Sequence, residues 1–91
     1  MSQNASRFER AVALMEAELG DELVALDPAR GQCFGFNPVA ATMWQLLKQP
    51  RSATEIEAEL AKIYEVEEAQ CHDEVADLLI DLQARGLIRR V

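Results

Sequence analysis

Cysteine, histidine, glycine and aromatic residues are all scarce in this 91-residue chain. The two cysteines, Cys33 and Cys71, stand far apart with no CxxC spacing, and the single histidine is His72. That is too few ligands for a zinc site, so no metal is expected; the spacing leaves a disulfide open. Four glycines and no Gly-rich stretch exclude a phosphate-cradling loop. No run approaches the roughly 20 apolar residues of a membrane span. The opening MSQNASRFER lacks the apolar core of a signal peptide. The expectation is a cytoplasmic protein with reduced thiols. Basic side chains are outnumbered, 9 against 16 acidic ones, for a net charge of -7. Such a field repels phosphate backbones and anionic membranes and suits a basic or neutral partner.

What is present is an ordinary globular mixture, 49% apolar and 27% charged, which argues against disorder. The length allows one domain with a small core. Residues 1–10 read as a flexible N-terminal tail and residues 11–91 as the domain. Phe8, Val12, Met15 and Leu19 fall at helical spacing. Against that, Gly20-Asp21 is a two-residue hairpin signal with a strand-like ELVAL behind it. Residues 8–19 therefore stay open between helix and strand, and the strand reading, from about Ala11 to Leu19, is adopted. Asp27-Pro28-Ala29-Arg30-Gly31 is a turn, and Gln32 to Phe36 is the next strand.

The second half is helical. Asn37 caps a helix with Pro38 in its first turn, running to about Lys48. Ser52-Ala53-Thr54-Glu55 is a capping-box pattern for the next. The last helix spans about Glu67 to Ala84, with Cys71, Val75, Leu78 and Leu82 on one stripe and Leu79 and Ile80 widening it. A helix so broadly apolar must touch something on two sides. Gly86 stops it, and residues 87–91 form a short final strand. The fold expected is α+β, a winged-helix-like three-helix core with an N-terminal three-stranded antiparallel sheet.

Reactive constellations fail on geometry. Cys71 and His72 are adjacent on a helix and point about 100° apart, so Cys71 reads as a small core residue and His72 as a surface one. The pairs Asp73/Asp77 and Asp77/Asp81 read as a solvated acidic face. The same carboxylates oppose DNA binding by a helix-turn-helix, because residues 65–83 carry no Lys or Arg. Peptide binding fits better. A small meander has an exposed edge that can accept a strand, and Gly35 would let a ligand backbone come close. Phe36 and Trp44 read as core; Phe34 is divided between core and site.

The ordered set of ELVALD, Gly31-Gln32-Cys33-Phe34-Gly35-Phe36-Asn37 leading to Trp44, the capped Ser52-Ala53-Thr54-Glu55-Ile56, and the closing Leu82 to Ile88 resembles the PqqD-like family. These are the recognition elements of ribosomally made, post-translationally modified peptides. The resemblance spans about residues 11–91. It implies a non-enzymatic protein without cofactor or catalytic residues. Such a protein binds the leader of a precursor peptide as an added strand on the third strand, packed on the third helix. It then presents the precursor to a modifying enzyme, a radical SAM enzyme in pyrroloquinoline quinone synthesis or a leader peptidase in lasso peptide maturation. Carried over, the site is Gln32, Cys33, Phe34, Gly35 and Phe36 on the strand with Cys71, Glu74, Val75 and Leu78 on the helix. The acidic helix suggests a leader bearing Lys or Arg. Partners expected are the leader and the enzyme, with no nucleic acid or membrane, in a monomer or weak homodimer. The other readings are a winged-helix DNA-binding regulator and a strand-edge dimerisation module.

Overall fold

The computed structural model describes residues 6–91. In chain order it contains β1 (Arg7–Arg10), β2 (Met15–Leu19), β3 (Glu22–Asp27), β4 (Gln32–Phe36), α1 (Pro38–Leu46), β5 (Arg51–Ser52), α2 (Ala53–Ile63), α3 (Glu68–Ala84) and β6 (Ile88–Arg90). Two antiparallel three-stranded sheets result, ordered β2-β3-β4 and β5-β1-β6. The expected α+β class, with three helices and a three-stranded meander, is what forms.

Turn chemistry sets the meander. Gly20 takes φ 65° at the first position of the two-residue loop, where a hairpin turn of this kind needs a positive φ. At the second turn, Asp27 is buried, and its Oδ1 accepts from the Ala29 and Arg30 amides at 3.0 and 3.2 Å. That side-chain turn holds the β3–β4 connection.

The register follows from the loop. A two-residue hairpin closes on a pair whose main-chain groups face each other, here Leu19 and Glu22. Main-chain direction then alternates, so Glu22, Val24 and Leu26 bond to β2 while Leu23, Ala25 and Asp27 bond to β4. Their partners on β4 are Phe36, Phe34 and Gln32. Side chains alternate too. Leu23, Ala25, Phe34 and Phe36 lie buried on the inner face.

The helices carry the caps expected of them. Asn37 Oδ1 accepts from the Ala40 amide at 2.8 Å, with Pro38 opening α1. Ser52 and Glu55 form the reciprocal capping box of α2. At the end of α3, Gly86 (φ 74°) donates to the Gln83 carbonyl and Leu87 to the Leu82 carbonyl, both at 3.0 Å. That double bond is a Schellman closure. The core gathers Trp44, Met43, Leu47, Ile56, Val75, Leu82 and Leu87, all fully buried, with Phe36 stacked on Trp44 at 5.8 Å.

Two expectations are corrected at the N-terminus. The tail expected over residues 1–10 is not free at its far end: Arg7–Arg10 is β1, paired with β5 on one side and β6 on the other. Residues 1–5 lie outside the described residues. Phe8 is buried there, and the Arg7 guanidinium grips Glu55 with two bonds of 3.0 and 2.9 Å. The strand expected from about Ala11 begins only at Met15. The helical spacing of Phe8, Val12, Met15 and Leu19 arises by coincidence: Phe8 faces the core from β1, while Met15 and Leu19 point to solvent from β2. The pairing strand β5 was not foreseen, because two residues carry no periodicity.

Candidate functional site

β4 is an edge strand, hydrogen-bonded only to β3 among the described residues. Because Gln32, Phe34 and Phe36 spend their main-chain groups on β3, those of Cys33 and Gly35 point outward, unpaired. An extended chain laid beside β4 would meet both. The space over Gly35 is open: a Cβ built there would have no neighbour within 4 Å.

Beside this edge runs a cleft of about 290 Å3 between β4, α1 and α3. Cys33, Phe34, Gly35 and Phe36 line it from the strand, Asn37 and Ala40 from the start of α1, and Leu78, Asp81 and Arg85 from α3. Phe34 and Phe36 are buried side chains whose edges form the floor. Leu78 is a half-buried wall. At one end the Arg85 guanidinium lies 5.9 Å from the Phe34 ring centre and pairs with Asp81 at 3.0 Å. Arg30 donates to the Arg85 carbonyl at 3.4 Å.

Of the residues expected from the sequence, Cys33, Phe34, Gly35, Phe36 and Leu78 therefore meet at one cleft. Gln32 sits at the mouth of the hairpin, exposed, paired with Asp27 and outside the cleft lining. Cys71, Glu74 and Val75 do not reach the cleft. They lie one to two turns nearer the helix N-terminus, roughly 5–10 Å away along an axis rising 1.5 Å per residue. There they line a separate small cavity of about 50 Å3 with Val39, Leu60, Tyr64 and Val66. Val75 is fully buried and packs the helix onto the core. Only the C-terminal half of α3 faces β4. The lining residues Asn37, Ala40, Asp81 and Arg85 were not among those expected. Leu78, Asp81 and Arg85 fall at i, i+3 and i+7, so helical spacing from Leu78 toward the C-terminus could have found two of them.

Burial, with the Glu57 and Glu74 charges, pushes the Cys71 thiol up, opposite to what an activated nucleophile needs. His72 is exposed and its Nδ1 sits 3.0 Å from Glu57 Oε2. Both cysteines are free. Among the described residues no three His, Cys, Asp or Glu side chains cluster closely enough to hold a metal ion. Among the described residues no helix is long and apolar enough to cross a membrane.

Comparison with known proteins adds a family and two structures. The family model described as coenzyme PQQ synthesis protein D (PqqD) matches residues 22–88. The chain is similar to a structure described as "TbiB1 in Complex with the TbiA(beta) Leader Peptide", with TM-score 0.75 and 26% identity over 89% of this chain and 94% of that one. It is equally similar to "Lasso peptide synthetase B1 complexed with the leader peptide", with TM-score 0.74 and 26% identity over 90% and 96%. No curated protein matches in sequence.

Proposed function

The chain belongs to the PqqD family, and on that premise we propose that it binds the leader region of a ribosomally made precursor peptide by strand addition to β4. The observation that carries this reading is the unpaired main chain of Cys33 and Gly35 beside the Phe34–Leu78 cleft. Both similar structures hold a leader peptide, which supports it. The bound precursor is presented to a modifying enzyme, a radical SAM enzyme or a leader peptidase, and this chain does no chemistry of its own. The raised thiol of Cys71 and the outward His72 agree with a non-catalytic role. A cytoplasmic location belongs to the same reading, as does a monomer or weak homodimer.

Magnitudes decide what the cleft must supply. Cys33 and Gly35 each offer one donor and one acceptor. At about 1 kcal/mol net per bond, the edge yields about 4 kcal/mol, half of the roughly 8 kcal/mol that micromolar binding requires. The remainder falls to side chains. A leader residue entering between Phe36, Ala40 and Leu78 would bury apolar surface, at roughly 1.5–3 kcal/mol for a full side chain. A Lys or Arg of the leader would meet Asp81 at the rim.

Amide exchange tests the proposal residue by residue. Without leader, the Phe34 and Phe36 amides are protected by β3 and those of Cys33 and Gly35 exchange freely. Leader binding should protect Cys33 and Gly35. Tight binding that leaves both amides exchanging freely would reject strand addition at this edge.

A further inference from the structure

The sheet has a second free edge, and its chemistry differs from the first. Among the described residues β2 pairs only with β3, and all five of its residues are exposed. Since Met15, Ala17 and Leu19 bond to Leu26, Val24 and Glu22, the main-chain groups of Glu16 and Glu18 face outward. The two sides of this edge are unlike. Met15 and Leu19 lie on the outer face, 63% and 64% exposed, beside a Leu26 that is 40% exposed. On the inner side, between the β2–β3 tip and α1, opens a cleft of about 500 Å3 lined by Glu18, Asp21, Glu22, Ala41, Gln45 and Tyr64. None of those three carboxylates is in an ion pair among the described residues.

The edge is also held in place. Glu16 accepts from Trp44 Nε1 at 2.8 Å and from Gln45 Nε2 at 3.0 Å, and meets Arg10 at 3.4 Å. These bonds tie β2 to α1 through its inner face and leave its outward main chain preformed for a ligand. Self-association does not fit the edge. Directly opposed side chains in a sheet share a face, so an antiparallel pairing of β2 with β2 along its length sets Glu16 or Glu18 against another glutamate, a destabilising arrangement. The charge of -7 on each copy adds to the repulsion.

We propose that the β2 edge is a second strand-addition site, which takes an extended segment of a partner protein in which Lys or Arg alternates with apolar residues. The basic side chains sit over the cleft against Glu18 and Asp21. The apolar ones extend the outer face beside Met15 and Leu19. A partner bound here leaves β4 free, so the chain can hold a leader at one edge and a protein at the other. This site goes beyond leader binding and stands whether or not that reading holds.

The test uses a synthetic heptapeptide of alternating Val and Lys, blocked at both ends, titrated into the full chain at low ionic strength. Controls carry Glu in place of Lys, or the same residues in two blocks. The alternating Lys peptide should bind at least tenfold tighter than either control and should protect the Glu16 and Glu18 amides from exchange. Glu18→Lys, an exposed substitution, should weaken it about fivefold as one attraction becomes a repulsion. Equal binding of the Glu peptide or the block peptide, or protection of Cys33 and Gly35 instead of Glu16 and Glu18, would overturn the proposal. Leader binding is read separately at Cys33 and Gly35, so either site can fail without the other.

Discussion

Gly35→Pro separates the main chain of the β4 edge from its side chains. Proline removes the Gly35 amide donor and puts ring atoms where a ligand backbone would approach. The ladder to β3 should survive, because the Gly35 amide points outward and the bonds to β3 come from Gln32, Phe34 and Phe36. The ring has room, since nothing lies within 4 Å of a Cβ at this position. A leader carbonyl that loses its donor in a closed interface costs about 1–3 kcal/mol, and each 1.4 kcal/mol is a factor of ten. Leader affinity should therefore fall about 10- to 100-fold, with the thermal midpoint little changed. Fluorescence anisotropy with a labelled leader reads the affinity, and circular dichroism reads the fold. Gly35→Ala keeps the donor and adds only a methyl in open space, so it should bind within about threefold of the parent. A folded Gly35→Pro chain with unchanged leader affinity would refute strand addition at β4.

Three further outcomes follow from the same geometry. Leu78→Glu places a charge in the wall of the β4 cleft. It should lower leader affinity about tenfold by calorimetry while leaving the half-exposed helix face folded. Ser52→Ala removes one half of the α2 capping box. It should destabilise by about 1 kcal/mol, seen as a drop of about 4–8 °C in thermal midpoint for a domain this size. For Glu16, burial works to raise the carboxyl, but the Trp44 and Gln45 bonds with the Arg10 and Lys48 charges outweigh it and hold the group below its ordinary 4.5. A depressed folded value means stability fully present above the unfolded value and lost as pH falls through the folded one. Urea midpoints should thus decline more steeply below about pH 4.5 in the parent than in Glu16→Gln, and parallel declines would show that the carboxylate is not so held.

Legibility in the sequence tracked how local the determinant was. Gly20-Asp21, the Asp27 turn, the Asn37-Pro38 cap and the Ser52–Glu55 box each specify structure within four or five residues, and each is present as expected. What failed was non-local. β1 and β5 exist only because Arg7–Arg10 finds Arg51–Ser52 and Ile88–Arg90 across the fold, and nothing within residues 7–10 announces those partners. The strand half of the β4 cleft was legible because edge and alternation are local properties. The helix half was not. The apolar stripe of Cys71, Val75, Leu78 and Leu82, widened by Leu79, shows which side of α3 faces inward, where Cys71, Val75, Leu79 and Leu82 are buried. It does not show at which turn the helix passes β4. That depends on the crossing of α3 over α2 and the sheet, which brings Leu78, Asp81 and Arg85 to the strand and leaves Cys71 and Glu74 beside α2.

The contrast between the two edges of one sheet bears on how the chain stays available to a ligand. A free edge is a template for any strand, including a copy of itself. β2 is guarded by Glu16 and Glu18, at least one of which meets a glutamate of the second copy in an antiparallel self-pairing along the strand. β4 has no such guard: Gln32 to Phe36 carries no charge, and its outward groups would accept another β4 as readily as a leader. Its protection is of other kinds. The strand is five residues long, Gly35 leaves its outer face without a side chain to pack, and the carboxylates of the whole molecule repel a second copy at -7. A leader meets none of these barriers. It is not bound to share the negative charge, and it can fill the Ala40–Leu78 notch, which a second β4 strand cannot do while its own Phe34 and Phe36 remain in its core. On the proposed reading, selectivity for leader over self thus resides in the notch beside the edge, while the edge itself provides only the means of attachment.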